Sequence, residues 1–127
     1  MDLLLDTNAF LWFCEDNPKL SSTGKQYIEN PSNTSFISMA SLWEIAIKMS
    51  LGKLKLKIPY KKFVELVEVN GFNFLSITFE HTLYVSKLEF HHRDPFDRLI
   101  ISQGIVEDIP IITADTTFDK YNVNLIW

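Results

Sequence analysis

The stretch DLLLDTNAFLWFCED, residues 2–16, places an apolar run, a carboxylate and a helical pattern in direct succession. DLLL is too short for a helix and predicts a buried strand, and TNAFLWFCED has helical spacing until Asn17 and Pro18 end it. Asp6 is therefore expected at the carboxyl end of the first strand. The same succession of strand and helix recurs along the rest of the chain.

Four further apolar runs predict strands: TSFIS, FNFLSI, IPIIT and VNLIW. Helices are predicted in SSTGKQYIEN, MASLWEIAIKMSLG, YKKFVELVEVNG, TFEHTLYVSKLE and FDRLIISQGIVED, and KLKLKI suits an exposed extended segment. This alternation favours an α/β fold, a three-layer sandwich in which helices flank a mostly parallel central sheet of about five strands. We expect one domain spanning residues 1–127.

Length and composition fit one domain, because 127 residues with 46% hydrophobic side chains can bury an ordinary core. The first residues are apolar but are interrupted by Asp2 and Asp6 and lack a basic leader, so they resemble neither a signal peptide nor a spanning helix. We expect a cytoplasmic protein without a membrane partner. The single cysteine, Cys14, has no disulfide partner in the chain and is predicted to be a buried thiol.

The charge is unevenly distributed. A net charge of −4 argues against a surface that binds nucleic acid throughout. From Ile45 to Val64, however, there is no acidic residue, and this tract carries six lysines: Lys48, Lys53, Lys55, Lys57, Lys61 and Lys62. The tract is either a basic face or a solvated charged segment.

Four acids are predicted to meet at one edge of the sheet, because sites in such folds form beyond the carboxyl ends of the strands. Asp6 follows the first strand and Asp115 follows the fourth. Asp97, in HHRDPFDRLI, begins a helix that enters from that edge, and Glu44 lies in the helix after the second strand. Four distant segments would then bring their carboxylates together.

Crowded carboxylates repel, so each needs a raised pKa or a nearby cation. Oxygen ligands without histidine or cysteine suit Mg²⁺ or Mn²⁺ rather than Zn²⁺, and such an ion promotes phosphoryl transfer. Each acid also has a purely structural interpretation. Asp6 could cap a helix, Asp97 could interact with a helix dipole, Asp115 could open the turn ADTTF, and Glu44 could pair with Lys48.

The histidines and tryptophans receive structural interpretations. Adjacent histidines cannot easily face one ion, so His91 and His92 are predicted to lie in a surface loop, and His81 on a helix surface. The three tryptophans lie in apolar runs and are predicted to pack in the core: Trp12, Trp43 and Trp127.

Four blocks, LLLDTNAFLW, SFISMASLWEIAIKMSLGKL, HHRDPFDRLIISQ and IITADTTFDKYNVNLIW, together resemble the PIN-domain family in its VapC-like toxin branch. The resemblance runs in order from the first strand to the last. It implies a metal-dependent endoribonuclease that cleaves single-stranded or structured RNA. The family's acidic quartet matches Asp6, Glu44, Asp97 and Asp115.

The resemblance also assigns neighbouring residues. Hydroxyl positions beside the quartet match Thr7 and Thr113, and a polar supporting position matches Asn8. Asp94 corresponds to the loop before the helix and is assigned to capping, whereas Asp119 is not excluded as a substitute ligand. The proline of DPF is expected to fix this loop through its restricted φ. Arg98 would then point either to a phosphate or to a structural carboxylate.

The expected reaction is RNA hydrolysis. Asp6, Asp97 and Asp115 would hold Mg²⁺ or Mn²⁺ directly or through water, and Glu44 would orient or deprotonate the attacking water. The products would carry a 5′ phosphate and a 3′ hydroxyl. Five basic residues are candidates for contact with the RNA backbone: Lys48, Lys53, Lys55, Lys57 and Arg98.

The resemblance implies a homodimer and a small cognate antitoxin protein, whose C-terminal segment would cover the acidic site and offer it an arginine. Two other functions compete. A phosphatase of the haloacid-dehalogenase type needs a second aspartate two residues after the first, where this chain has Asn8. A non-catalytic module would use the same fold to bind RNA or protein.

Overall fold

The structure is a computed structural model that describes residues 1–127, and strands alternate with helices along it. The strands are β1 (Asp2–Leu5), β2 (Thr34–Ser38), β3 (Asn73–Leu75), β4 (Ile111–Ile112) and β5 (Leu125–Ile126). The helices are α1 (Thr7–Cys14), α2 (Ser22–Glu29), α3 (Met39–Ser50), α4 (Tyr60–Val69), α5 (Phe79–Lys87), α6 (Pro95–Glu107) and a 3₁₀ helix (Thr116–Lys120). All five strands predicted from the sequence are present.

The five strands form one sheet in the order β3-β2-β1-β4-β5, and every neighbouring pair is parallel. Leu4 in the central strand lies opposite Phe36 on one side and Ile111 on the other. The chain runs outward from β1 through β2 to β3 and then returns to the other side of β1. The topological switch point, where α/β folds form their sites, therefore lies between β1 and β4.

Side chains of β1 alternate between two cores. Leu3 and Leu5 join a buried cluster with Phe10 and residues of α4, whereas Leu4 joins a second cluster with Ile100 of α6. This alternation follows from the two-residue period of a strand. With helices on both faces of the sheet, the predicted three-layer α/β sandwich is confirmed.

Helix α6 lies very close to β4 because it carries a glycine at the contact. A Cβ atom at Gly104 would lie 2.7 Å from Cδ1 of Ile111. This contact seats α6 against the strand that leads to Asp115, and Asp97 is in the first turn of the same helix.

Several side-chain placements predicted from the sequence are wrong, and one of them is that of Trp127, which is 40% exposed rather than in the core. Cys14 is exposed, because the buried face of α1 is formed by Ala9 and Phe10. Trp43 is 61% exposed and rests edge-on against the ring of Phe96. His81 is fully buried at the start of α5, where its Nδ1 accepts a hydrogen bond that closes a capping box.

The segment KLKLKI forms an irregular connection between α3 and α4 and pairs with no strand. None of the helices combines the length and the apolar character that a membrane crossing requires.

Candidate functional site

A cleft of about 310 Å³ opens beyond the carboxyl ends of β1 and β4. All four acids predicted from the sequence line it, although they come from four separate segments. Its ten lining residues are Asp6, Thr7, Asn8, Trp12, Glu44, Lys48, Asp94, Asp97, Ala114 and Asp115.

Asp6 is fixed by hydrogen bonds to both of its carboxylate oxygens. It is the N-cap of α1, and its Oδ1 accepts a hydrogen bond of 2.8 Å from the backbone N–H of Ala9. Its Oδ2 accepts a hydrogen bond of 2.6 Å from the hydroxyl of Thr113. The capping interpretation of Asp6 is therefore correct, and it leaves lone pairs on both oxygens for a ligand.

Asp97 owes its position to the sequence DPF. Asp94 is the N-cap of α6, and its Oδ1 accepts hydrogen bonds from the backbone N–H groups of Phe96 at 2.8 Å and Asp97 at 3.1 Å. Pro95 occupies the first turn, where its missing N–H costs nothing. Asp94 thus caps the helix, and Asp97 projects from the first turn into the cleft.

Asp115 is the N-cap of the 3₁₀ helix, and its Oδ1 accepts from the backbone N–H of Thr117 at 2.9 Å. Its own backbone N–H donates to the Thr113 hydroxyl at 3.0 Å. Its Oδ2 lies 2.8 Å from Nε2 of His92. Asp115 is thereby connected to Asp6 through Thr113.

Glu44 is buried on α3, and its two oxygens have different surroundings. Oε2 accepts a hydrogen bond of 2.7 Å from Lys48 Nζ, one helical turn further on. Oε1 is buried and has no hydrogen-bond partner. A buried acceptor without a donor is costly, so a hydrogen-bond donor or a cation beside this oxygen would be stabilising.

Burial, with a smaller contribution from neighbouring negative charges, raises the pKa values of two of the acids. Burial, together with the negative charges of Asp94, Asp6 and Glu44, raises the pKa of Asp97 to about 7, against an opposing effect of His92. Burial likewise raises the pKa of Asp6 to about 6, although the Thr113 hydroxyl and the Ala9 N–H oppose the shift.

Asp115 behaves differently because it is less buried than Asp6 and Asp97 and is well hydrogen-bonded. Its burial favours the protonated form, but hydrogen bonds from His92 and Thr117 hold the pKa of Asp115 below its ordinary value. The cleft therefore combines one readily ionised carboxylate with two that ionise near neutral pH.

These residues fit a divalent cation. The unpartnered oxygen of Glu44 and the mutual repulsion of the acids both call for positive charge in the cleft. Carboxylate oxygens are the ligands that Mg²⁺ and Mn²⁺ prefer. Asp6, Asp97 and Asp115 are the residues that could hold the ion.

His92 is a functional-site residue that the sequence interpretation placed wrongly. Only 14% of its side chain is exposed, and its Nε2 lies 2.8 Å from Asp115 and 3.2 Å from Asp97. The ligand atoms of these three residues lie within 4.8 Å of one another. His91, by contrast, is exposed as expected, and its ring pairs with Glu89 and packs edge-on against Tyr121. The one signal in the sequence is that His92 precedes the cap residue Asp94 by two positions.

The prediction that Arg98 contacts RNA is wrong, because its side chain is buried and both terminal nitrogens of its guanidinium donate to the backbone. It stacks on the ring of Phe90 at 3.9 Å. It also donates to four carbonyl groups, those of Val85, Leu88, Glu89 and His92. Arg98 therefore binds neither a phosphate nor a carboxylate, and it holds the loop between α5 and α6.

Of the four candidate lysines, only Lys48 lines the cleft. Lys55 and Lys57 line a separate groove of about 1250 Å³ together with Asn33 and Gly71, which precede β2 and β3. This groove is at the amino edge of the sheet, opposite the acids. Lys53 is exposed on the connection between α3 and α4.

The remaining predicted residues divide between the cleft and its surroundings. The Thr7 hydroxyl lies 2.8 Å from the hydroxyl of Ser41 and ties α1 to α3. Asn8 is exposed at the cleft. Asp119 is exposed on the 3₁₀ helix and does not line the cleft, so nothing supports it as a substitute ligand.

A family model described as "PIN domain" matches residues 3–124. Among curated protein sequences, none matches the chain significantly.

Solved structures share the fold at low sequence identity. VapBC2 from Rickettsia felis, bound to a DNA fragment from its promoter, has a TM-score of 0.73 at 20% identity, over 98% of this chain and 97% of the other. VapBC-1 from nontypeable Haemophilus influenzae gives 0.70 at 17% identity, over 98% and 96%. The PIN domain endonuclease Utp24 gives 0.53 at 14% identity, over 94% and 74%.

Proposed function

The chain belongs to the PIN-domain family, and from this premise we propose that it is a divalent-metal-dependent endoribonuclease, the toxin of a type II toxin–antitoxin pair. One observation carries the proposal. Four carboxylates from distant segments line a single cleft. The similarity in fold to a PIN domain endonuclease supports the nuclease assignment.

Asp6, Asp97 and Asp115 would hold Mg²⁺ or Mn²⁺. When bound, such an ion lowers the pKa of water, orients a phosphodiester and neutralises charge that develops on its oxygens. The hydrogen bonds from Ala9 and Thr113 keep Asp6 oriented toward the cleft.

Glu44 is the proposed general base. Lys48 occupies its Oε2, and Oε1 is buried without a partner, so a turn of the carboxylate toward the cleft would present Oε1 to the attacking water as the proton acceptor. Water then adds to phosphorus as the bond to the 3′ oxygen breaks, and that oxygen takes up a proton. The products are a 5′ phosphate and a 3′ hydroxyl.

RNA contact is proposed first for Lys48, which is at the cleft and about half exposed. Lys53, Lys55 and Lys57 form no ion pair, so their charge is available to phosphates. Because Lys55 and Lys57 lie at the opposite edge of the sheet, they can contact only an RNA that extends beyond the cleft.

Two protein partners belong to the proposal. The VapBC complexes that share this fold support a small antitoxin as a partner. The protein is also proposed to act in the cytoplasm. Exposed apolar side chains on α3 and α5, which both pack against α6, support a homodimer: Met39, Trp43, Phe79 and Leu83. A monodisperse monomer at high concentration in sedimentation would contradict the dimer.

Cleavage of a mixed RNA pool tests the activity. Wild type is compared with Asp97→Asn, with Mg²⁺, with Mn²⁺ and with chelator, and Asp119→Asn serves as the matched variant of an acid outside the cleft. The proposal is supported if wild type and Asp119→Asn cleave RNA only when metal is present and Asp97→Asn does not cleave it. Equal activity in all three preparations identifies a contaminating nuclease. Metal binding without any cleavage favours the non-catalytic module instead.

A further inference from the structure

The imidazole of His92 bridges two parts of the acidic cleft. Its Nε2 lies 2.8 Å from Oδ2 of Asp115 and 3.2 Å from Oδ2 of Asp97. Its Nδ1 accepts a hydrogen bond of 3.1 Å from the backbone N–H of Asp94. Each ring nitrogen therefore has its own partner.

These partners determine which nitrogen carries the proton. A backbone N–H can only donate, so Nδ1 must offer its lone pair to Asp94. In the neutral ring the proton is then on Nε2, which faces the carboxylates as a donor. A nitrogen that carries a proton has no lone pair for a metal ion, so this arrangement does not make His92 a ligand.

The ring is also held from other directions. The backbone N–H of His92 donates to the Tyr121 hydroxyl at 2.8 Å, and its carbonyl accepts from Arg98 at 3.4 Å. The ring packs edge-on against Phe118, with 5.7 Å between the centroids. The position of Nε2 relative to the acids is thus set by the surrounding fold.

We propose that His92 is a positioning residue of the metal site, which orients the carboxylate of Asp115 through its Nε2–H, beside that of Asp97, without binding the ion. The oxygens of these two carboxylates lie within 4.8 Å of one another and repel, and the N–H dipole of His92, which is close to both, offsets part of that repulsion. Hydrogen bonds of this kind orient the ligands of metal sites and affect metal affinity. The inference rests on the proposed function in taking these acids as metal ligands.

Two substitutions at His92 test the hydrogen bonds of its two ring nitrogens separately. In His92→Asn the side-chain oxygen can accept from the N–H of Asp94, as asparagine does in turns, but the side chain is too short to reach Asp115. In His92→Gln the longer amide can donate to Asp115. His91→Asn is the matched control, because it makes the same change at the exposed neighbour, whose side chain contacts Glu89 and Tyr121 but none of the acids of the cleft.

The test is Mn²⁺ binding to the purified full chain, measured by electron paramagnetic resonance together with thermal unfolding. His92→Asn is expected to weaken binding about 10- to 100-fold, His92→Gln less, and His91→Asn not at all. In wild type, pulsed resonance is expected to detect no directly coordinated nitrogen.

Unchanged affinity in a folded His92→Asn would overturn the proposal, as would a coordinated nitrogen in wild type that disappears in this variant. If His92→Asn fails to fold, His92→Gln and the nitrogen signal of wild type decide the matter. RNA cleavage is scored separately. Wild type that binds Mn²⁺ more tightly than His92→Asn but cuts no RNA supports the role of His92 and contradicts the ribonuclease. If wild type and His92→Asn bind Mn²⁺ equally tightly and wild type cleaves RNA, the ribonuclease is supported and the role of His92 is contradicted.

Discussion

The Thr113 hydroxyl donates a 2.6 Å hydrogen bond to Oδ2 of Asp6, a residue 107 positions earlier in the chain. The same hydroxyl accepts from the backbone N–H of Asp115 at 3.0 Å. One small side chain thus connects the carboxyl ends of β1 and β4, the two strands on either side of the switch point. It both orients Asp6 and opposes the rise in the pKa of that carboxyl.

Thr113→Val tests this connection. The substitution keeps the shape of the side chain but removes its hydroxyl, so the pKa of Asp6 is expected to rise above about 6. We expect Mn²⁺ affinity at neutral pH to fall about 10-fold and stability to fall by about 2 kcal/mol, measured by metal titration and chemical unfolding. Thr113→Ser, which keeps the hydroxyl, should retain most of both. Equal losses in the two variants would show that the methyl group, rather than the hydroxyl, matters.

The raised pKa of Asp97 predicts a pH dependence of stability. Its value is about 7 in the folded chain against an ordinary 3.8, so between these values the folded state binds more protons than the unfolded state. The free energy of unfolding of the metal-free protein should therefore fall as pH rises from about 4 to about 7.

Asp97→Asn removes this titrating group, so the metal-free variant should lose less stability over the same pH range and be more stable than wild type above pH about 7. Melting temperatures in chelator across this range measure both effects. Asp119→Asn, at an exposed acid outside the cleft, should follow wild type. Parallel curves for wild type and Asp97→Asn would contradict the shift.

The strands and the meeting of the acids could be predicted from the sequence for a physical reason. Short apolar runs separated by helical patterns predict a parallel sheet, and parallel strands bring their carboxyl ends to one edge. Asp6 and Asp115 follow such runs directly. Asp97 could be assigned to the same site because Asp94 and Pro95 mark the start of a helix.

The surroundings of the acids could not be predicted, because they depend on contacts without a local pattern. His92 precedes Asp115 by 23 residues, and only the folding of the loop between α5 and α6 brings the two side chains together. The partners of Arg98 are backbone carbonyls, which every residue carries. Lys55 and Lys57 follow α3 through an irregular connection, and nothing in their alternation with leucine indicates the sheet edge that they reach.

Arg98→Lys should destabilise the protein without a specific effect on RNA binding. Lysine keeps the charge but cannot donate to several carbonyls from a planar group, so buried acceptors would lose their partners. We expect a loss of about 2 kcal/mol or more in chemical unfolding. Arg93→Lys is the control, because Arg93 is exposed in the same loop. Unchanged stability with a lower salt dependence of RNA binding would restore the phosphate interpretation of Arg98.

Replacing Lys53, Lys55 and Lys57 together with glutamine tests the basic tract. If each lysine contacts one phosphate, the slope of log affinity against log salt for a long single-stranded RNA should fall by about 2. A short oligonucleotide that only fills the cleft should bind as it does to wild type, because Lys55 and Lys57 line the opposite edge. Asp97→Asn in the same background keeps the RNA intact during titration. An unchanged slope with the long RNA would exclude these three lysines from RNA contact.

Glu44→Gln separates the proposed base from the proposed metal ligands. The amide is nearly the same size and can still accept from Lys48 through its oxygen, but it cannot take a proton from water. We expect the cleavage rate to fall about 100-fold or more while Mn²⁺ affinity changes only slightly, whereas Asp97→Asn should lose both. Single-turnover cleavage of one purified RNA, beside metal titration of the same preparations, measures the two quantities. If Glu44→Gln weakens metal binding as much as Asp97→Asn does, Oε1 of Glu44 holds the ion itself, and another group must accept the proton of the attacking water.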